Sequence, residues 1–395
     1  MKYLLLFLIL FFPLKLFLPY HIIIALVAIL AIVIRRKIEV NTSAAAVAAF
    51  TVFLLLTSIF RSLYLNINNP RDYIEIFRFI PLLLLLLIQK AIKFDRANLE
   101  KIFFWYVSID FVISIAQFLR FDFINIITSL YAAGHHAEKS LLISSRALGL
   151  SSGPGQHGSL ITFLFVFFLA GIFFKRSRYN VIGVIIASIC ILLSQSQTAF
   201  IAMVGSSISI LLYYIFSGKV SQKLKALRLW LVMTIASASL IGYFFQELRY
   251  LASLVEQGTD RSSFQIRLEK AQFVYDGINK VPELLITGYG KDYWGSFSAA
   301  MDNEYLYVLA VYGIVILCIS IAIVFVYLFR GFLLRSAKED KSIYFIILTG
   351  LVIAYPTAFF TDPRIILLLL FVVLSKQFIS EPGDENVAIP LRTEG

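Results

Sequence analysis

Charge is scarce in this chain. Of 395 residues only 15% are Asp, Glu, Lys or Arg, 59% are hydrophobic, and mean hydropathy is +0.85. A water-soluble protein of this length needs far more charge on its surface, so that class is excluded. Cysteine is almost missing. Cys190 and Cys318 both lie inside apolar runs, which excludes a disulfide framework and reads as two buried free thiols. There is no internal repeat, no heptad pattern and no low-complexity linker. The apolar N-terminal run also lacks a small-residue cleavage site, which argues against a cleaved signal peptide. What is abundant is hydrocarbon: Phe alone occurs 37 times. The composition is that of an all-α polytopic membrane protein held together by helix packing in lipid.

About 30 Å of hydrocarbon requires roughly 20 helical residues. Residues 3–34 are too many for one span and predict two short ones turning at Pro19-Tyr20-His21, with Lys15 snorkelling toward the turn. Hydropathy places the other spans at about 43–60, 72–89, 100–119, 158–174, 179–194, 197–216, 229–245, 303–329, 343–360 and 365–377. The sequence therefore predicts about 12 transmembrane helices over a domain of residues 1–379. The polar tail 380–395 reads as disordered.

The net charge of +11 is an orientation signal here, not a nucleic-acid footprint, and no nucleic-acid partner is expected. With both termini in the cytoplasm, every short inside loop is basic: Arg35-Arg36-Lys37, Lys90 to Lys101, Lys175 to Arg178, Lys219 to Arg228 and Arg330 to Lys341. This topology puts two long segments outside, at about 120–157 and at 246–301, the second between helices 9 and 10.

Both outside segments carry candidate chemistry. In the first, Arg146 precedes the turn Leu150-Ser151-Ser152-Gly153-Pro154-Gly155, and the preceding apolar residues predict a stretch lying against the membrane surface. Such a turn exposes backbone N–H groups and brings an arginine near an anion, although a plain re-entry turn with a headgroup-facing arginine explains it too. In the second, Ser262 and Gln265 fit a capping box. Phe264, Leu268, Ala271, Tyr275 and Ile278 recur at helical spacing. Arg267 and Lys270 share another face, where two cations suit one diphosphate. A solvated amphipathic helix is the alternative. Pro282 ends the helix and Thr287-Gly288-Tyr289-Gly290 forms a turn. Asp302 or Asn303 then caps the next membrane helix, which explains an acid or amide there as well as a catalytic role does. Within the spans, Glu75 and Arg78 are spaced to pair, and Asp110 is either functional or a polar contact between helices.

The run ELLITGYGKDYWGSFSAAMDNEYLYVLAVYGIVI resembles the C-terminal signature of bacterial O-antigen polymerases and the related O-antigen ligases. RALGLSSGPGQHGSLITFLF is similar to their Arg-x-x-Gly segment, and ILLSQSQTAFIAMVG to their Ser-rich turn between two helices. The similarity runs in order from about Arg146 to Leu317. It implies a GT-C-like membrane architecture, with Arg146 and Arg267 as the basic groups that engage substrate. His157, Gln197, Lys270, Gly288, Tyr289, Gly290, Asn303 and Tyr305 are further candidate substrate contacts. Two departures matter. Ligases usually have His where this chain has Asp302, which favours a polymerase. Gln197 stands where the family often has Arg, which shifts weight onto the loop arginines.

The implied reaction is glycosyl transfer on the periplasmic face of the bacterial inner membrane. Donor and acceptor are oligosaccharides linked to undecaprenyl diphosphate. The leaving lipid diphosphate gains charge as the bond breaks, which preorganised arginine stabilises. Asp302 is the candidate base for the acceptor hydroxyl, and His157 a poorer one. No cofactor is expected, and the lack of a DxD-type carboxylate pair in the outside segments predicts no catalytic metal. The family implies inversion at the anomeric carbon. Membrane lipids and a chain-length regulator protein are the expected partners. The rivals are an O-antigen ligase, a transporter (a major-facilitator carrier or the lipid-linked oligosaccharide flippase) and a scaffold subunit of a polysaccharide-export complex, which would leave the loop arginines without a strong role. A twofold carrier usually has a long cytoplasmic link after span six, and here that link is only Lys175–Arg178.

Overall fold

The computed structural model describes residues 1–36, 38–65, 70–143, 145–174, 177–217, 220–243, 262–291, 303–333 and 340–376. The described chain is helical, and its breaks fall where proline, glycine or charge interrupts the apolar runs. The N-terminal apolar run forms α1 (Lys2–Phe11) and α2 (Phe17–Arg35). The turn between them is therefore at Pro13, not at Pro19-Tyr20-His21 as the spacing suggested. Pro13 has no N–H to continue α1, whereas Pro19 sits in the first turn of α2, where a missing N–H costs nothing.

Next come α3 (Thr42–Leu65), α4 (Pro70–Phe77), α5 (Ile80–Leu87) and α6 (Arg96–Phe118). The span expected at 72–89 is thus two helices parted at Arg78-Phe79. Pro81 near the start of α5 removes the N–H that would carry the ladder across that point. After a stretch of short turns follow α7 (Pro154–Phe174), α8 (Arg178–Ser194), α9 (Gln197–Ser217) and α10 (Val220–Tyr243). The helix expected from Phe264 is α11 (Ser262–Lys280), ending just before Pro282, but the expected apolar stripe is not its buried face: Leu268 and Tyr275 are exposed, and Val274 is buried instead. The span expected at 303–329 is broken at Gly313 into α12 (Glu304–Tyr312) and α13 (Ile314–Leu333). The chain continues with α14 (Ser342–Ala354) and α15 (Pro363–Lys376).

One helix is the axis of the bundle. In α7 nearly every residue is buried, and the helix packs against α6, α8, α9 and α14. A helix that is apolar all round has no solvent face and belongs in the middle. The opposite case is α13, where Gly331 is the buried residue and Ile319, Ile323, Phe325 and Phe329 face outward. Water would not tolerate that surface; lipid does. Cys318 lies on this outer helix and is exposed, not buried as its apolar run suggested. Among the described residues five helices are long and apolar enough to cross a membrane: α2, α3, α7, α9 and α13.

The segment 120–157 divides in two. Phe121, Phe123, Ile126 and Leu130 are exposed, the pattern of a stretch lying in a membrane interface. Residues 147–151, expected to stay at the surface, instead run buried inside the bundle.

Candidate functional site

Buried backbone must be hydrogen-bonded, and two polar residues of α6 perform that task for the strand-like run after Arg146. Asp110 Oδ1 accepts from the Leu150 N–H at 2.8 Å, and its Oδ2 lies 2.7 Å from His157 Nε2. Two turns along α6, Gln117 Oε1 accepts from the N–H groups of Leu148 and Gly149 at 2.9 and 2.8 Å. Gly149 has φ +50°, and a Cβ there would collide with Asp110 and His157. The α7 end of this run is thereby pinned. The Ala147 N–H donates to Leu193 O at 2.9 Å, and Arg146 Nε donates to Ser194 O at 3.2 Å. Arg146 itself stays partly exposed.

The second long segment is pinned by backbone against backbone. Gly288 and Gly313 have φ of +78° and +88°. A Cβ on either would strike the main chain of the other segment: Val311 for Gly288 and Ile286 for Gly313. The Tyr289 N–H donates to Ala310 O at 2.8 Å, and its hydroxyl donates to Val281 O at 2.7 Å. The break that separates α12 from α13 is therefore the seat of the Gly-Tyr-Gly turn. On the far side, Arg61 Nη1 donates to Thr287 O at 3.3 Å, and the Lys291 N–H donates to Asp72 Oδ1 at 2.6 Å. Lys291 is thus delivered to Glu75. The Glu75 carboxylate holds Lys291 Nζ, Arg78 Nη1 at 3.2 Å and the Tyr312 hydroxyl at 3.0 Å. The predicted Glu75–Arg78 pair is present, and Lys291 joins it from more than two hundred residues away.

These elements surround one cavity of about 570 Å³. Among the described residues four cations line it: Arg78 from the α4–α5 break, Arg146 from the end of the first segment, Arg267 from α11 and Lys291 from the end of the Gly-Tyr-Gly turn. Arg267 Nε is buried there without a hydrogen-bond partner. His135, His136, Gln197 and the Ser152–Gly155 turn complete the polar wall, and Leu14 and Phe17 supply a short apolar one.

Two carboxylates also line it, Glu304 and Asp362. Glu304 accepts from the N–H groups of Phe359 and Phe360 at 3.0 and 2.9 Å and from that of Thr361. Asp362 caps α15, accepting from the Arg364 N–H at 2.9 Å and the Ile365 N–H at 3.2 Å. Burial pushes the Asp362 carboxyl above its ordinary range, opposed by the nearby Arg364 guanidinium and by these N–H donors.

Of the candidate substrate and catalytic residues named from the sequence, Arg146, Arg267 and Gln197 meet on this cavity, joined by Arg78 and the Ser152–Gly155 turn, while Asp302 lies outside the described residues. The others stand elsewhere. His157 is fully buried against Asp110. Gly288, Tyr289 and Gly290 are buried in the lock just described. Asn303 caps α12, its Oδ1 accepting from the Leu306 N–H at 3.1 Å. The Tyr305 hydroxyl donates to Leu351 O at 2.7 Å. Lys270, one turn beyond Arg267, is not among the lining residues. Sequence reasoning overlooked Lys291, Glu304 and Asp362. The signal for Lys291 was its place directly after the glycine turn; nothing local marked the two acids.

A family model described as O-antigen ligase matches residues 182–320. That region contains Gln197, Arg267, the Gly-Tyr-Gly turn and the Gly313 break, and it agrees with the resemblance to O-antigen polymerases and ligases. No curated protein matches the chain.

Proposed function

We propose that the protein is a membrane glycosyltransferase that polymerises polysaccharide repeats carried on undecaprenyl diphosphate, working at the periplasmic face of the inner membrane. The observation that carries this reading is the convergence of Arg78, Arg146, Arg267 and Lys291, from four separate elements, on one cavity. Glu75 already pairs with Arg78 and Lys291, yet the lining cations still outnumber the lining carboxylates Glu304 and Asp362, which favours an anionic ligand. The anion that fits a membrane enzyme without nucleotide sugars is a lipid diphosphate.

The wider topology belongs to the same proposal. About 12 spans, cytoplasmic termini and the 246–301 segment outside would open the cavity toward the periplasm. In the reaction, the acceptor hydroxyl of one lipid-linked repeat attacks the anomeric carbon of the donor chain. The new glycosidic bond forms as the bond to the diphosphate oxygen breaks. The hydroxyl proton goes to a base, for which Asp302 is the candidate, and the electron pair leaves with undecaprenyl diphosphate. Arg146 and Arg267 stabilise the charge gained on that leaving group. Donors fixed in a partly dry site need no reorganisation at the moment of reaction.

The matching family model is compatible with a second reading, an O-antigen ligase, as well as with a polymerase; Asp302-Asn303 in place of a His-Asn pair favours the polymerase. The lipopolysaccharide ladder of a deletion strain complemented with R146A or R267A separates them. A polymerase variant, present and folded, leaves single repeats on lipid A core and no long chains. Normal chain growth without transfer to lipid A core identifies a ligase. Lipid-linked repeats held in the inner leaflet would identify a flippase and sink both.

A further inference from the structure

The four cations of the cavity are not equivalent. Arg78 and Lys291 both lie on Glu75 and both stand beside one aromatic ring: the Phe17 centroid is 5.7 Å from Arg78 Cζ and 5.8 Å from Lys291 Nζ. Phe17 opens α2, just past the break that separates it from α1, and Leu14 of that break lines the cavity next to it. Arg146 and Arg267 reach the same cavity from the other long segment and from α11, and neither is ion-paired to Glu75.

We propose that Arg78, Lys291 and Phe17 form the carrier-side half of a polyprenyl diphosphate site, and that the isoprenoid chain leaves the cavity over Phe17 and Leu14, through the α1–α2 break. This assignment rests on the glycosyltransferase reading and specifies where its leaving group is seated. A polyprenyl diphosphate changes from anion to hydrocarbon within a bond or two, so its site must change character over the same short distance. The α1–α2 break is where the cavity does so, with two cations and two large apolar side chains side by side.

Charge supports the division. Arg78 and Lys291 share one carboxylate, Glu75, so this half offers less positive charge than two free cations, as suits a phosphate esterified on both sides, which carries a single negative charge. The other end of the diphosphate gains a charge when the sugar departs. It would face Arg146 and Arg267, where Arg267 Nε is buried without a partner. A 570 Å³ space lies within the ordinary range for a single ligand, so it suits one diphosphate with its adjoining sugar and isoprene. The acceptor's own diphosphate, a whole repeat unit away from its reacting hydroxyl, is then held elsewhere.

The test is photolabelling of the intact protein in lipid nanodiscs. The probe is a polyprenyl diphosphate bearing a diazirine on the isoprene next to the phosphate. The expected result is label on Leu14 or Phe17, displaced by unlabelled undecaprenyl diphosphate. R78K keeps a partner for Glu75 and so preserves the fold; together with K291Q it should weaken probe binding about tenfold or more. F17A should weaken the lipid probe but leave inorganic pyrophosphate binding unchanged. Saturable label on the Pro356–Pro363 wall, with R78K and K291Q binding as tightly as the unaltered protein, overturns this assignment and leaves the glycosyltransferase reading intact. Absence of any saturable labelling overturns both.

Discussion

Asp110 Oδ2 and His157 Nε2 meet 2.7 Å apart across two packed helices, and neither side chain reaches the surface. Two ionisable residues in an apolar bundle read as a catalytic pair when seen alone. The other oxygen of Asp110 shows their purpose, because it accepts from the Leu150 N–H. The pair holds a buried run of main chain in place, and Arg146 emerges from that run.

The first prediction follows directly. Replacing Asp110 with alanine leaves the Leu150 N–H and His157 buried without their partner, which should destabilise the fold by roughly 3 kcal/mol. D110N retains an acceptor and should lose less. Thermal unfolding in detergent reads the difference. If D110A unfolds with the unaltered protein yet abolishes chain growth, Asp110 acts in the chemistry and the structural account is wrong.

The Gly288–Gly313 lock yields the second prediction. Both positions have positive φ, and a methyl group at either would strike the opposing main chain. Alanine at either position should cost about 2 kcal/mol or more. Because Lys291 is delivered by the same turn, chain growth should fall together with stability. Gly205 is a contrast, since a Cβ there meets nothing within 4 Å; G205A should leave both unchanged. Limited proteolysis and the lipopolysaccharide ladder provide the two readouts.

What the sequence disclosed follows the range of the interactions. Helix positions were legible because each depends on hydropathy within a window of some twenty residues. The α11 helix and the Glu75–Arg78 spacing were legible for the same local reason, but the apolar stripe read for α11 was not its buried face, since Leu268 and Tyr275 are exposed and Val274 is buried. The breaks at Arg78 and Gly313 were not, since an apolar run looks continuous until a distant segment is known to pack into the gap. Arg146 and Arg267 stood out through an ordered set of motifs. Lys291 and Glu304 reach the cavity through partners 216 and 55 to 57 positions away, and no local pattern announces such a contact. His157 misled because a histidine near a turn looks available until its burial is seen.

Asp362 gives a prediction in pH. Its carboxyl is raised above the ordinary value of 3.8 by burial, so the folded protein holds that proton more tightly than the unfolded chain. The stabilising contribution is complete below the unfolded value and is lost as pH rises through the folded one. D362N preserves an oxygen to cap α15 but cannot titrate. Its stability should therefore fall less than that of the unaltered protein as pH rises through the weakly acidic range. Parallel denaturation curves of the two proteins across that range would show that Asp362 is not perturbed.

Gln197 tests the division of labour on the cavity wall. It lines the cavity beside Arg146, at the place where the resembling families often carry arginine. An amide can donate a hydrogen bond to a phosphate oxygen but brings no charge to offset the one that develops on departure. In single-turnover transfer between purified lipid-linked repeats, R146A should slow the reaction by about a hundredfold or more. Q197A removes a neutral donor and should slow it by roughly tenfold or less. Q197R restores a cation near the leaving group, so it should partly rescue R146A while adding little to the unaltered protein. Loss in Q197A as deep as in R146A would instead put the leaving group against the Ser196–Thr198 start of α9. Arg146 would then be a residue that shapes the cavity, without stabilising the departing diphosphate.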